Sequence, residues 1–281
     1  MSIILKKTLG FTLIEIAVVL IIVGLLLSGL LVSLSAQRDV NDYNQARQKI
    51  SITKEALLGF VVTNRRLPCP DTDGNGLENI AMPNTPQNDT PFTGQSTQTF
   101  ACSSPEGFLP SQTLGVEKLD SWSNLFTYRV APAFSNRIIV WDANGGTGNI
   151  ISDSYFNLTS NGNITVKTRG DDPSTPSIAE SKFNSNLTTN AAIVIISHGK
   201  NGYGATNNSG VLLAAVPLIN VDETTNTNAA LPIKLSRIVT SRATACSDTT
   251  EGVTYCEFDD VVDWLPSALI FNRMVATGQL P

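Results

Sequence analysis

Three groups of residues in this chain have types and spacings that could do chemistry. The first is Asp71-Thr72-Asp73-Gly74-Asn75-Gly76. Side-chain oxygens at alternate positions, followed by a glycine, match the first half of an EF-hand loop. There, oxygens at positions one, three and five converge on one calcium ion and the glycine permits the sharp turn. Position twelve of that pattern is Met82, where a glutamate is needed. A calcium set would be Asp71, Asp73 and Asn75, completed by Glu78 in a shorter loop or by carboxylates from elsewhere such as Asp259 and Asp260. The competing reading is a plain polar turn, since Asp, Asn and Gly favour turns without an ion.

The second group is Ser197-His198-Gly199, which holds the only histidine. Nucleophilic catalysis needs a base held against the nucleophile by a third group. Adjacent residues on a strand point to opposite faces, so Ser197 and His198 do not pair directly. The chain has no GxSxG stretch, no phosphate-binding glycine loop and no paired-carboxylate signature. These features speak against an enzyme.

The third group is Cys69, Cys102, Cys246 and Cys256. An even count fits disulfides in an oxidising compartment, and four cysteines allow three pairings. Proximity in the chain favours Cys69–Cys102 and Cys246–Cys256. A zinc site is the weaker alternative, because there is no CxxC and one histidine only.

Elements must position these groups. Residues 1–10, MSIILKKTLG, carry Lys6 and Lys7 and end in a glycine, and an apolar run starts at Phe11. From Ile16 to Val32 the one polar side chain is Ser28, so the run is long enough to cross a bilayer as a helix over 11–34. The lysines predict a cytoplasmic N-terminus. A secretory signal peptide would have a shorter apolar core followed by a small-x-small site. A plain membrane anchor fits better but leaves Glu15 unexplained, and an ionisable group among apolar residues is costly in lipid.

The stretch Lys6-Lys7-Thr8-Leu9-Gly10-Phe11-Thr12-Leu13-Ile14-Glu15 resembles the leader of type IV prepilins and type II secretion pseudopilins. The resemblance implies cleavage after Gly10 by a prepilin peptidase, methylation of the new Phe11 amine, and Glu15 as the fifth mature residue, which guides assembly. Glu15 would pair with the Phe11 amine within or between subunits. Such a pair is plausible as a register device, since a lone buried carboxylate is strongly disfavoured. The implied partners are the peptidase, the inner membrane and other pilin or pseudopilin subunits, met through the N-terminal helix. The precursor would sit in the inner membrane with its head in the periplasm, then move into a periplasmic or surface filament. Some pseudopilins use calcium to order a loop of the head, which bears on Asp71-Thr72-Asp73. Three further stretches resemble large pilin-like proteins: Arg66-Leu67-Pro68-Cys69-Pro70-Asp71, Ser197-His198-Gly199-Lys200-Asn201-Gly202 and Phe258-Asp259-Asp260.

After Leu34 the chain turns polar without a helix breaker. Val40, Tyr43, Ala46 or Arg47, Ile50, Leu57 and Phe60 continue an amphipathic helix to about Thr63. Leu67-Pro68-Cys69-Pro70 ends it, and 71–110 reads as a long irregular loop stapled by a disulfide. Strands are predicted near Leu125–Val130, Arg137–Trp141, Asn163–Lys167, Ala192–Ser197, Val211–Pro217, Leu235–Thr240 and Val253–Phe258. Near the C-terminus, Val261, Trp264, Leu265, Leu269 and Phe271 supply the apolar side of a short helix, with Pro266 in its first turn and Gly278 after its end.

The resulting expectation is an α+β, pilin-like chain, with a long N-terminal helical spine packed on an antiparallel sheet. It divides into a leader at 1–10, a spine helix at 11–63 and a β-rich head at 64–281. The formal net charge is −5 with no basic stripe, which argues against a nucleic-acid partner. The function expected is that of a structural subunit, a minor pilin or pseudopilin. The alternatives are a binding or adhesin-like module on the same stalk and, third, a membrane-anchored hydrolase.

Overall fold

A computed structural model describes residues 12–81, 95–142, 149–169, 185–241, 245–250 and 253–280, with side chains undescribed at 25–36, 95–98, 141–142 and 149–152. The chain divides into two compact units, Met1–Asn44 and Gln45–Pro281.

Helix α1 (Leu13–Asn64) contributes residues to both units. In the first unit it opens with a reciprocal cap. The Thr12 hydroxyl accepts from Glu15 N at 3.4 Å, and the Glu15 carboxylate accepts from Thr12 N at 2.8 Å. This is the capping-box arrangement, which satisfies two of the donors left over at a helix start. Leu13, Ile14, Ile16 and every residue from Val18 to Val23 are exposed. No helix among the described residues is long and apolar enough to cross a membrane, and most of the later apolar run lies among the undescribed side chains.

In the second unit α1 buries one stripe. Ala46, Ile50, Thr53, Leu57 and Val61 recur at spacings of three and four and are all buried. Lys49 donates to Leu119 O at 3.0 Å, and Lys54 pairs with Asp263 at 2.8 Å. The helix stops at Arg65, whose φ is +56°, and the chain then enters buried Leu67-Pro68-Cys69-Pro70. Proline bars a further helical turn there. Tyr128 Oη donates to Pro68 O at 3.0 Å and fixes the extended path.

Two sheets make up most of this unit. One has four strands in the order β1 (Ile80–Ala81), β2 (Gln95–Cys102), β5 (Arg137–Asp142) and β6 (Asn149–Ser154). The other has six. Its path runs β3 (Glu106–Phe108), β4 (Thr127–Val130), β8 (Ser185–Ser197), β7 (Ile164–Thr168) and β9 (Ile233–Leu235), with β10 (Val261–Pro266) paired to β8. Strand β8 is the axis of the core. Its second half, Ala191 to Ser197, is buried throughout, as a central strand covered on both faces must be. Short helices α2 (Ser111–Leu114), α3 (Pro132–Ser135), α4 (Val221–Thr227) and α5 (Ser267–Ala276) connect or cover the strands. Phe134, Phe156 and Phe271 form a tilted aromatic cluster, with ring centroids 5.0 to 6.3 Å apart.

The expected architecture needs correction. The body is mostly β and has two sheets instead of one antiparallel sheet on a long spine, and β7 and β9 run parallel. Only the part of α1 from Gln45 onward belongs to that body. The stretch 71–110 is not an irregular loop throughout, since it holds β1, β2 and β3. Conversely, 211–217 and 253–258 contribute isolated bridges in place of strands. Val261 to Pro266 forms a strand, because Pro266 takes an extended conformation (φ −71°, ψ 149°) and α5 starts only at Ser267.

Candidate functional site

The leader residues 1–10, including Gly10, and Phe11 lie outside the described residues. Glu15 is placed at the third position of α1, exposed, with its carboxylate on Thr12.

Loop 71–78 is closed by its own hydrogen bonds. Asp71 Oδ1 accepts from Asp73 N at 3.1 Å and Gly74 N at 2.7 Å, and its Oδ2 accepts from Gly76 N at 2.6 Å. Asp73 accepts from the Asn75 backbone and side-chain amides, and the backbone bond above all holds its carboxyl below the usual carboxylate range. Asn75 in turn accepts from Leu77 N. Glu78 does not turn toward this loop. It forms a two-pronged ion pair with Arg66, both contacts at 2.7 Å, and accepts from Cys69 N. The four residues are neighbours, but their oxygens serve the turn and the pair with Arg66. Asp259 and Asp260, the other carboxylates suggested for this loop, converge on Glu223 instead.

Both disulfides form as proximity suggested, Cys69–Cys102 and Cys246–Cys256. The first ties the extended segment after α1 to strand β2. The second closes a short loop around buried Asp248, whose Oδ1 accepts from Cys256 N at 3.0 Å.

Ser197 and His198 point apart, as expected for strand neighbours. Ser197 Oγ donates to Asp120 Oδ2 at 2.7 Å, while His198 Nε2 lies 2.9 Å from Thr127 Oγ1. The other ring nitrogen, Nδ1, faces Asp260 Oδ1 at 3.4 Å and has no hydrogen-bond partner. Register explains this meeting. Val261 pairs with Ser197 in the β8–β10 ladder, so the next residues outward, Asp260 and His198, come side by side.

Around them lies a cluster that the sequence pattern did not reveal. Glu223, on α4, joins Asp259 and Asp260 so that one oxygen from each lies within 4.8 Å of the others. Helix α4 is held at this place by its cap, where the Asn220 side chain accepts from Glu223 N. Asp259 and Asp260 each have one oxygen held by a donor, whereas Glu223 has both, since its Oε1 also accepts from Asn201 Nδ2 at 3.0 Å and from Asp259 N at 3.2 Å. Asn220 Nδ2 donates to Glu223 Oε2 at 2.8 Å, Asn201 N donates to Asp259 Oδ2 at 2.7 Å, and Asn226 Nδ2 donates to Asp260 Oδ2 at 2.7 Å. Asp259 Oδ1 and Asp260 Oδ1 are buried without a partner. The turn after β8 presses on this cluster. Gly199 has φ +61°, and a Cβ there would sit 2.4 Å from Asp259 Cγ, so glycine is required on both counts. Burial first, then the charges of Asp260 and Asp259, pushes Glu223 up to about 9. Burial, helped by Asp260, pushes Asp259 up to about 7.

Two of the three stretches singled out in the sequence thus meet here, 197–202 and 258–260. The third, 66–71, instead builds the pair with Glu78 and the buried turn. No protein-family model, curated protein or solved structure matches this chain.

Proposed function

We propose that this chain is a structural subunit, a minor pilin or pseudopilin, of a type IV pilus or type II secretion filament. In this reading it is cleaved after Gly10, methylated on Phe11, and held first in the inner membrane with its head in the periplasm. The observation that carries the reading is the start of α1. Apolar side chains from Leu13 to Val23 are exposed, and Glu15 stands among them as the one charged group. Such a surface needs lipid or other apolar helices as its cover. The apolar run, continued to 34, supplies the membrane-crossing half. A carboxylate in that surrounding is costly unless a cation meets it, and a neighbouring subunit's N-terminal amine is such a cation.

A second reading is a binding module carried on the same helix. Val211, Leu212, Leu213, Leu218 and Ile219 favour it as a run of exposed apolar side chains on the head, with Leu218 92% exposed.

The test is assembly. In a host that makes such filaments, the tagged wild-type chain is expected in the sheared filament fraction. Glu15→Ala is expected to stay in the membrane fraction. Equal incorporation of the variant, or absence of the wild-type chain from filaments, would overturn the reading.

A further inference from the structure

We propose that Glu223, Asp259 and Asp260 form a binding site for one calcium ion, closed over by the His198–Asn201 turn. The site does not depend on the filament reading, and it is separate from loop 71–78, whose oxygens are used by that loop and by Arg66.

Three observations converge on it. First, the three carboxylates come from two parts of the fold, Glu223 from α4 and the adjacent Asp259 and Asp260 from the segment before β10, and one oxygen of each lies within 4.8 Å of the others. Calcium binds oxygens at about 2.3–2.6 Å, so ligands on opposite sides of one ion stand roughly that far apart. Second, amides orient all three acids: Glu223 accepts on both oxygens, whereas Asp259 and Asp260 accept on Oδ2, which leaves their Oδ1 atoms buried without a hydrogen-bond partner. Holding one oxygen of a ligand while the other faces the ion is how outer groups orient a metal site. Third, His198 and Asp260, 2% and 3% exposed, turn unpartnered polar atoms toward each other at 3.4 Å. Buried polar atoms without partners are rare in folded chains and need a cause.

The donor set selects the ion. Three carboxylates make a hard, oxygen-rich site. Magnesium demands near-ideal octahedral geometry and keeps several waters, which suits this buried corner poorly. Zinc and copper would draw on the imidazole. His198 faces Thr127 with one ring nitrogen and Asp260 with the other, and is not one of the three converging groups.

The experiment uses the full chain, purified in detergent and stripped with EDTA. Calcium chloride is added, and bound calcium and the thermal midpoint are measured together. One calcium per chain is expected, with a midpoint rise of roughly 5–10 °C at a hundredfold excess over Kd. Asp260→Asn and Glu223→Gln should weaken calcium binding at least tenfold while both variants stay folded by circular dichroism. Asp73→Asn should bind calcium like the wild-type chain. The inference is overturned if the wild-type chain binds no calcium, if zinc alone binds, or if Asp73→Asn abolishes binding while Asp260→Asn does not. Calcium stoichiometry on the wild-type chain decides the matter even if a variant fails to fold.

Discussion

Helix α4 sends two consecutive acidic residues into two different surroundings. Asp222 enters a balanced network. Its oxygens accept from Arg169 Nε at 2.6 Å and Arg237 Nε at 2.7 Å, and Arg237 also reaches Asp248 at 3.1 Å. The Arg237 guanidinium lies over the rings of Phe258 and Tyr255, 4.6 and 5.0 Å from their centroids. Glu223, the next residue, enters a cluster of amides with two more carboxylates. The buried cations described nearby are engaged elsewhere: Lys234 and Arg129 with Glu106, and Arg237 with Asp222 and Asp248. Two acids of equal burial are thus treated oppositely, one by guanidinium counter-ions and one by neutral donors beside other acids. The difference shows that the fate of a buried carboxylate is set by the elements facing it and not by its own helix.

The largest effect is expected where the balance is broken. Arg237→Met should leave Asp222 and Asp248 short of a counter-ion and cost about 3–5 kcal/mol of stability, read from the denaturant midpoint at constant slope. A loss below about 1 kcal/mol would mean that the network is not what holds this corner. Gly199→Ala comes next. A positive φ and a Cβ driven into the Asp259 carboxyl should cost about 1–3 kcal/mol in thermal or denaturant unfolding.

A third effect is a pH dependence that arises in the Glu223 cluster. Glu223 has a folded pKa raised from 4.5 to about 9, so the folded chain keeps a proton that the unfolded chain releases within that window. Its contribution to stability is therefore complete below about pH 4.5 and is lost as pH climbs toward 9. Asp259, raised from 3.8 to about 7 beside Asp260 and the His198 turn, has the same sign. Metal-free protein should lose stability between pH 5 and 9, and Glu223→Gln should flatten that slope with little change at pH 5. An unchanged slope in the variant would remove Glu223 as its source.

Local pattern carried part of this into the sequence. The stripe of Ala46, Ile50 and Leu57 was readable because helical spacing and burial coincide there, although Val40 of the same pattern is exposed. Strands β4, β5, β7 and the buried second half of β8 were readable because their β-branched runs sit between turn residues, whereas the polar first half of β8 was not. Strand β2, QSTQTFAC, was not, since it is a polar run that pairs with β5 and with short β1. At the C-terminus, Val261, Trp264 and Leu265 fit helical and strand spacing alike, and pairing with β8 decided for the strand. The acidic cluster had no local signature. Asp259 and Asp260 were visible only as spare ligands for another loop, and VDETTNT around Glu223 has no apolar periodicity. The cluster exists because β10 pairs with β8 in one register and Asn220 caps α4 beside it. Gly199 was the available hint, a glycine between a histidine and a lysine at a strand end.

The central claim concerns the start of the chain, and mass spectrometry of the mature N-terminus tests it most directly. The chain is expressed with and without a prepilin peptidase. The account predicts that, with the peptidase, the chain begins at a methylated Phe11. An intact N-terminus under both conditions, or a chain beginning beyond Leu34, would contradict it.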